Sequence, residues 1–175
     1  MKNSSLRFCV VALLFMAPCG AALLSQTPKA FESAEGLVSE IYQSVSFDSA
    51  GPMPDWEKVR SMFLENAVIV LRVARDSTAV FSVQEFISDF TNFIERSAAR
   101  RSGFRERVIR MKPMVFGNIA HILVLYEAHI PGSQRPPQRG VDSWELLKRD
   151  GRWWTVAVTN EVPAPDRPIP AELAD

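Results

Sequence analysis

Little in this chain belongs to the residue types that carry most catalytic chemistry. Its 175 residues include two histidines and two cysteines. Both cysteines, Cys9 and Cys19, fall in a leading segment that reads as removable. The remainder of the chain has no thiol for a disulfide, a thiolate nucleophile or a zinc–cysteine site. The histidines, His121 and His129, lie on one strand face roughly 26 Å apart at 3.3 Å per residue, so they cannot act as a pair or share a metal. A satisfied strand histidine is the ordinary meaning of His121. We expect neither metal nor cofactor. Charge of one sign is also lacking: Lys plus Arg and Asp plus Glu are 20 each, so no global field favours nucleic acid or a membrane surface. There is no internal repeat and no low-complexity tract, and the unbroken apolar run Phe8 to Met16 falls in the leader.

That leader has the order of a secretory signal. Lys2 and Arg7 precede the apolar run, and Pro18, Gly20, Ala21 and Ala22 supply a helix breaker and small residues suited to cleavage. We expect residues 1–22 to be a signal peptide cut near Ala22, and the domain to be periplasmic or secreted. An uncleaved anchor and lipidation at Cys19 are the alternatives. Pro18 and the short apolar run oppose the first, and the Met-Ala-Pro that precedes the cysteine opposes the second. Cleavage removes two cations and no acid, leaving a slightly acidic mature domain with no membrane segment.

What is there is a single domain, 28–162, succeeded by a proline-rich tail, 163–175. Thr27-Pro28 reads as a cap before a helix whose Ala34, Leu37, Val38, Ile41, Tyr42 and Val45 share a face. Asp55 caps a short helix with Trp56, Val59, Met62 and Phe63 on one side. Ala67 to Leu71 is a buried strand, with a short partner at Ala79 to Phe81. Ser82-Val83-Gln84-Glu85 is a capping box opening a helix with the stripe Val83, Phe86, Ile87, Phe90, Phe93 and Ile94. After Gly103 come four strands, Phe104–Phe116, Ile119–Ile130, Val141–Lys148 and Arg152–Val162. The last two are joined by Asp150-Gly151, a strong hairpin signal. Helices first and antiparallel strands last make an α+β domain.

Four stretches in this order carry a resemblance: DWEKVRSMF (Asp55–Phe63), FGNIAH (Phe116–His121), YEAH (Tyr126–His129) and RGVDSWELL leading to GRWW. They resemble an exported bacterial branch of the nuclear transport factor 2-like superfamily, also called SnoaL-like or cystatin-like, of unknown function. The resemblance implies a cone: N-terminal helices packed on a curved, mostly antiparallel sheet of four to six strands around a pocket, often in a homodimer. It does not settle activity, because the superfamily hosts isomerases, cyclases, dehydratases, binders and adaptors.

Strand alternation assigns the pocket. Ala120, Ile122, Val124, Tyr126 and Ala128 suit the concave face. His121, Leu123, Leu125, Glu127 and His129 suit an outer, dimer-forming one. Asp142, Trp144 and Leu146 share a face, as do Trp154, Val156, Val158 and Asn160. Trp153 and Trp154 must point oppositely, and which one faces the pocket is open. With Tyr42, Trp56, Phe63, Phe86 and Phe90 from the helical half, these make the expected lining. Similarity to ketosteroid-isomerase-type sequences places Asp142 as a carboxylic acid bonding a ligand oxygen, its pKa raised by desolvation. The other reading puts Asp142 at the sheet edge, bonded to an arginine or a backbone amide. The first strand, where that family keeps its base, is apolar from Val68 to Leu71. Arg96, Arg100, Arg101, Arg105, Arg107, Arg110 and Lys112, diluted by Glu95 and Glu106, read as a solvated face, with no nucleic acid as partner; an anionic ligand or lipid headgroup is the alternative. Two functions stand: non-catalytic binding of a small apolar ligand or a protein partner, and a small lyase or isomerase using Asp142 and Tyr126, helped by Tyr42. A pocket open and lined by titratable groups, or one filled by tryptophan, separates them.

Overall fold

The turn between the last two strands shows why Asp-Gly is needed there. Asp150 and Gly151 have φ of 54° and 78°, the paired positive values of a tight hairpin turn that matches strand twist. A computed structural model describes residues 28–174. The expected signal segment, its cleavage site and the expected cap at Thr27 lie outside the described residues.

After a 3₁₀ turn at Lys29–Glu32, helix α1 runs Ala34–Val45, capped by Ser33, whose side chain accepts from the Gly36 N–H. Strand β1 (Phe47–Asp48) and helix α2 (Trp56–Arg60) come next, the helix capped by Asp55 as expected. They lead to β2 (Phe63–Ala74), β3 (Ser77–Ser82) and α3 (Val83–Arg96), whose capping box between Ser82 and Glu85 is formed in full. A short α4 (Ala99–Ser102) leads into β4 (Gly103–Phe116), β5 (Ile119–His129), β6 (Gln138–Arg149) and β7 (Arg152–Glu161).

The strands form one sheet in the order β1-β4-β5-β6-β7-β2-β3, antiparallel except where β2 meets β7. This is seven strands rather than four to six. The surplus strand is β1, two residues paired with Gly103 and Phe104, too short to leave an apolar period. Helices α1 and α3 cover the inner face, and their apolar stripes close on the sheet. Leu37 and Val38 of α1 meet Ile122 and Val124 of β5 in one cluster, all fully buried. A second cluster gathers Phe47, Ile94, Ala99 and Phe104. The C-terminal tail buries more than its prolines suggest, since Leu173 is fully enclosed.

Strict alternation fails on β7. Glu145 pairs with Ala157 but Leu146 pairs with Thr155, so Val156 is the extra residue of a β-bulge. One inserted residue reverses the side-chain parity beyond it. Asn160 and Val158 face inward as expected, but Thr155 and Trp153 take the inner face. Val156 is 37% exposed and Trp153 only 4%. Trp154 turns outward, its ring 3.9 Å from the Arg152 guanidinium carbon, which in turn lies 4.1 Å from the Phe31 ring. Trp154 and Val156 therefore do not belong to the pocket.

This orientation separates the two tryptophans energetically. Trp153→Ala empties a core site and should cost about 3–5 kcal/mol, while Trp154→Ala loses a cation–π stack worth about 1 kcal/mol. Urea unfolding of both variants measures this, and equal losses would contradict the bulge-set parity.

Candidate functional site

The inner faces of β4 to β7, with α1 across them, enclose an open cavity of about 230 Å³. Ile41, Val45, Phe63, Ile69, Leu71, Phe86, Phe90 and Val158 make apolar walls. Tyr42, Glu106, Tyr126, Gln138, Asp142, Trp144, Asn160 and Arg72 supply the polar groups. Of the residues expected from sequence, Tyr42, Phe63, Phe86, Phe90, Tyr126, Asp142, Trp144 and Asn160 line it. Ile122 and Val124 are on the same face but fully buried in the core. Trp56 stacks edge-on against Phe90, with centroids 5.6 Å apart, outside the lining. His121 bonds Glu145 at 2.7 Å, away from the cavity.

Local sequence explains why these groups converge. Asp142 and Asn160 are register partners across β6 and β7, and Asn160 Nδ2 donates to Asp142 Oδ1 at 2.7 Å and to the Tyr126 hydroxyl at 3.0 Å. Tyr126 pairs with Gly140, where a Cβ would lie 2.3 Å from the tyrosine hydroxyl and Cζ. Only glycine leaves room there for the ring. Helical spacing puts Tyr42 on the sheet-facing side of α1. Its hydroxyl donates to Asp142 Oδ2 at 2.5 Å and accepts from Trp144 Nε1 at 3.4 Å. One turn on, the Ser46 hydroxyl accepts the Glu106 N–H at 2.9 Å and lies 3.1 Å from the Glu106 carbonyl. The end of α1 is thereby pinned beside Glu106.

Asp142 is thus on a central strand, held by a phenol and an amide. The edge position with an arginine or backbone amide as partner is not what the fold makes. Burial raises its pKa, and the bonds from Tyr42 and Asn160 pull it back, leaving it at about 6. Glu106, which the sequence grouped with the arginines of a solvated face, lines the cavity instead. Among the described residues nothing hydrogen-bonds its carboxyl. Desolvation first, and the nearby Asp142 charge second, push it up to about 8. Burial and the two acids also hold Tyr42 and Tyr126 above the usual phenol range. Near pH 7 both phenols are neutral, Asp142 is ionised and Glu106 carries a proton. Phe104, Glu106 and Val108 alternate on β4, and that apolar frame around an acid was the available signal. Arg72 and Gln138 at the rim left none. Among the described residues no group of three or more His, Cys, Asp and Glu could hold a metal. The arrangement is equipped for proton transfer and for hydrogen bonding to a ligand oxygen.

Helices on one face of a strongly curved sheet, closed over an open cone, define the nuclear transport factor 2-like, or cystatin-like, fold. No family model and no curated protein matches the sequence. Solved structures do. A cystatin-like protein of unknown function from Nostoc punctiforme aligns with a TM-score of 0.57 at 13% identity, covering 75% of this chain and 89% of that one. A nuclear transport factor 2-like protein of unknown function from Pseudomonas putida gives 0.59 at 8% identity over 81% and 93%. A protein provisionally named scytalone dehydratase from Novosphingobium aromaticivorans gives 0.56 at 13% over 74% and 81%. Identities this low speak for the fold alone.

Both acids have folded pKa values above their unfolded values near 4. The folded state therefore binds more protons between about pH 4 and 8, and stability should fall as pH rises through that window. The expected urea midpoint declines from pH 5 to 8, and in Glu106→Gln the part of that decline above pH 6 disappears. A wild-type profile flat from pH 5 to 8 would contradict the site as described.

Proposed function

We propose that this domain binds a small, mostly apolar molecule carrying one hydrogen-bonding oxygen, and moves a proton on it, as a lyase or isomerase does. The observation that carries the reading is Glu106: a carboxyl facing an apolar cavity with no hydrogen-bond partner among the described residues. Burying an acid this way costs stability, and such local conflicts concentrate at functional sites. A pKa near the working pH suits proton transfer in either direction. Two carboxyls with environments that separate their pKa values divide the roles. Glu106 is the proton donor and acceptor. Asp142 stays ionised within its clamp and keeps the Glu106 proton from leaving early. The Tyr126 hydroxyl accepts from Asn160, so its own proton is free to meet a ligand oxygen as negative charge develops there.

Non-catalytic binding is the second reading, favoured by Asp142 having both oxygens already engaged. Proton exchange separates the two without knowledge of the natural substrate. In deuterated buffer, the protein should speed exchange of the acidic C–H of a cyclic ketone such as 2-tetralone, monitored by NMR. Glu106→Gln should lower that rate at least about 100-fold while leaving ketone binding in place. Ketone binding without any acceleration over buffer would leave the domain a binder.

A further inference from the structure

At the mouth of the cone, next to the cavity, is a second concavity of about 300 Å³ lined by Arg72, Arg75, Gln138 and Arg167 together with Val73, Ala74, Val162 and Pro163. Arg72 and Gln138 line both spaces, so the two adjoin at these side chains. Three arginines and no acidic residue line this second space. The acids nearby pair with these arginines from outside the space: Glu161 with Arg72 and Arg167, and Asp166 with Arg167. Glu161 is held behind the rim by the Val162 N–H at 2.9 Å and by Arg72 Nε at 2.9 Å, with a second bond from the Arg72 Nη2. Glu161 therefore fixes where Arg72 points rather than filling the space. Asp166 pairs with its neighbour Arg167 at 3.4 Å and is largely exposed, and Asp76 acts on Arg72 only through its charge. Arg75 is exposed, with no acid partner among the described residues. Arg167 forms an ion pair with Glu161 at 3.5 Å, yet its Nε is a buried donor that makes no hydrogen bond.

We infer that the rim recognises an anionic head group, and that the molecule taken by the cone is an amphipathic carboxylate or comparable oxyanion whose apolar body enters the cavity. This rests on the cavity being a ligand site, as proposed above. The electrostatics give the ligand one orientation. The floor holds ionised Asp142 beside Glu106 and repels a second negative charge. The rim offers planar, multi-donor cations suited to a carboxylate or phosphate. A carbonyl or hydroxyl on the ligand body would then meet Tyr126 and Glu106, while the charged end anchors it away from the chemistry.

Calorimetric titration with 2-naphthoate and its neutral isostere 2-naphthamide tests this, since the two share a body and differ in one charge. The wild-type protein should bind 2-naphthoate about tenfold more tightly, as expected for a hydrogen-bonded charge pair, and the gap should narrow at high salt. Arg75→Gln combined with Arg167→Gln should erase the preference and leave 2-naphthamide binding within about twofold. The amide serves as the fold control. Equal affinity for both, or tighter binding of the amide, would overturn the anionic head group and leave the cavity as a ligand site. If neither ligand binds at millimolar concentration, the inference falls together with the ligand site beneath it.

Discussion

The structure depends on a carboxyl group held out of water. Asp142 is buried in the middle of the sheet, and an ionised acid there is tolerable only while its oxygens are satisfied. Tyr42 from α1 satisfies one and Asn160 from β7 the other. The first bond joins residues a hundred positions apart, so docking of the N-terminal helix onto the sheet and solvation of the acid are one event. Removing a partner would leave the charge uncompensated, which costs more than the bond itself contributes.

Other features serve the same arrangement. Gly140 gives the Tyr126 ring its space, Ser46 ties the end of α1 to the β4 backbone at Glu106, and the bulge at Val156 turns Trp153 into the core. The capped α3 and the rings of Phe86 and Phe90 close the cavity on the helical side. The wall is apolar enough that desolvation, with the Asp142 charge beside it, raises the pKa of the Glu106 carboxyl to about 8.

Much of this could be read from the residues. The Asp-Gly turn, the Ser82 capping box and the concave set around Ile122, Val124 and Tyr126 derive from local chemistry and a period of two. The α+β class derives from their order. Asp142, Tyr126, Tyr42 and Asn160 were legible as pocket residues because each shares a face with apolar neighbours. Trp154 and Val156 were misplaced because a single inserted residue in β7 reverses parity, and nothing in the run Trp153-Trp154-Thr155-Val156 marks where it falls. Trp56 has the right face of α2 but meets Phe90 before it reaches the cavity. Glu106 was hidden among arginines: Arg105 and Arg107 flank it and face outward, so composition describes their side of β4 while the acid belongs to the other. Leu173 shows the same limit in the tail, since a proline-rich stretch can still deliver one apolar anchor.

The protonation of the two acids is open to direct observation by carbon-13 NMR titration of the side-chain carboxyls in the intact protein. Glu106 should titrate near pH 8 and Asp142 near pH 6, and Asp142→Asn should bring Glu106 down as the neighbouring charge is lost. Two carboxyls titrating together near pH 4, the value of solvated acids, would mean that water reaches both and that the cone holds no desolvated pair.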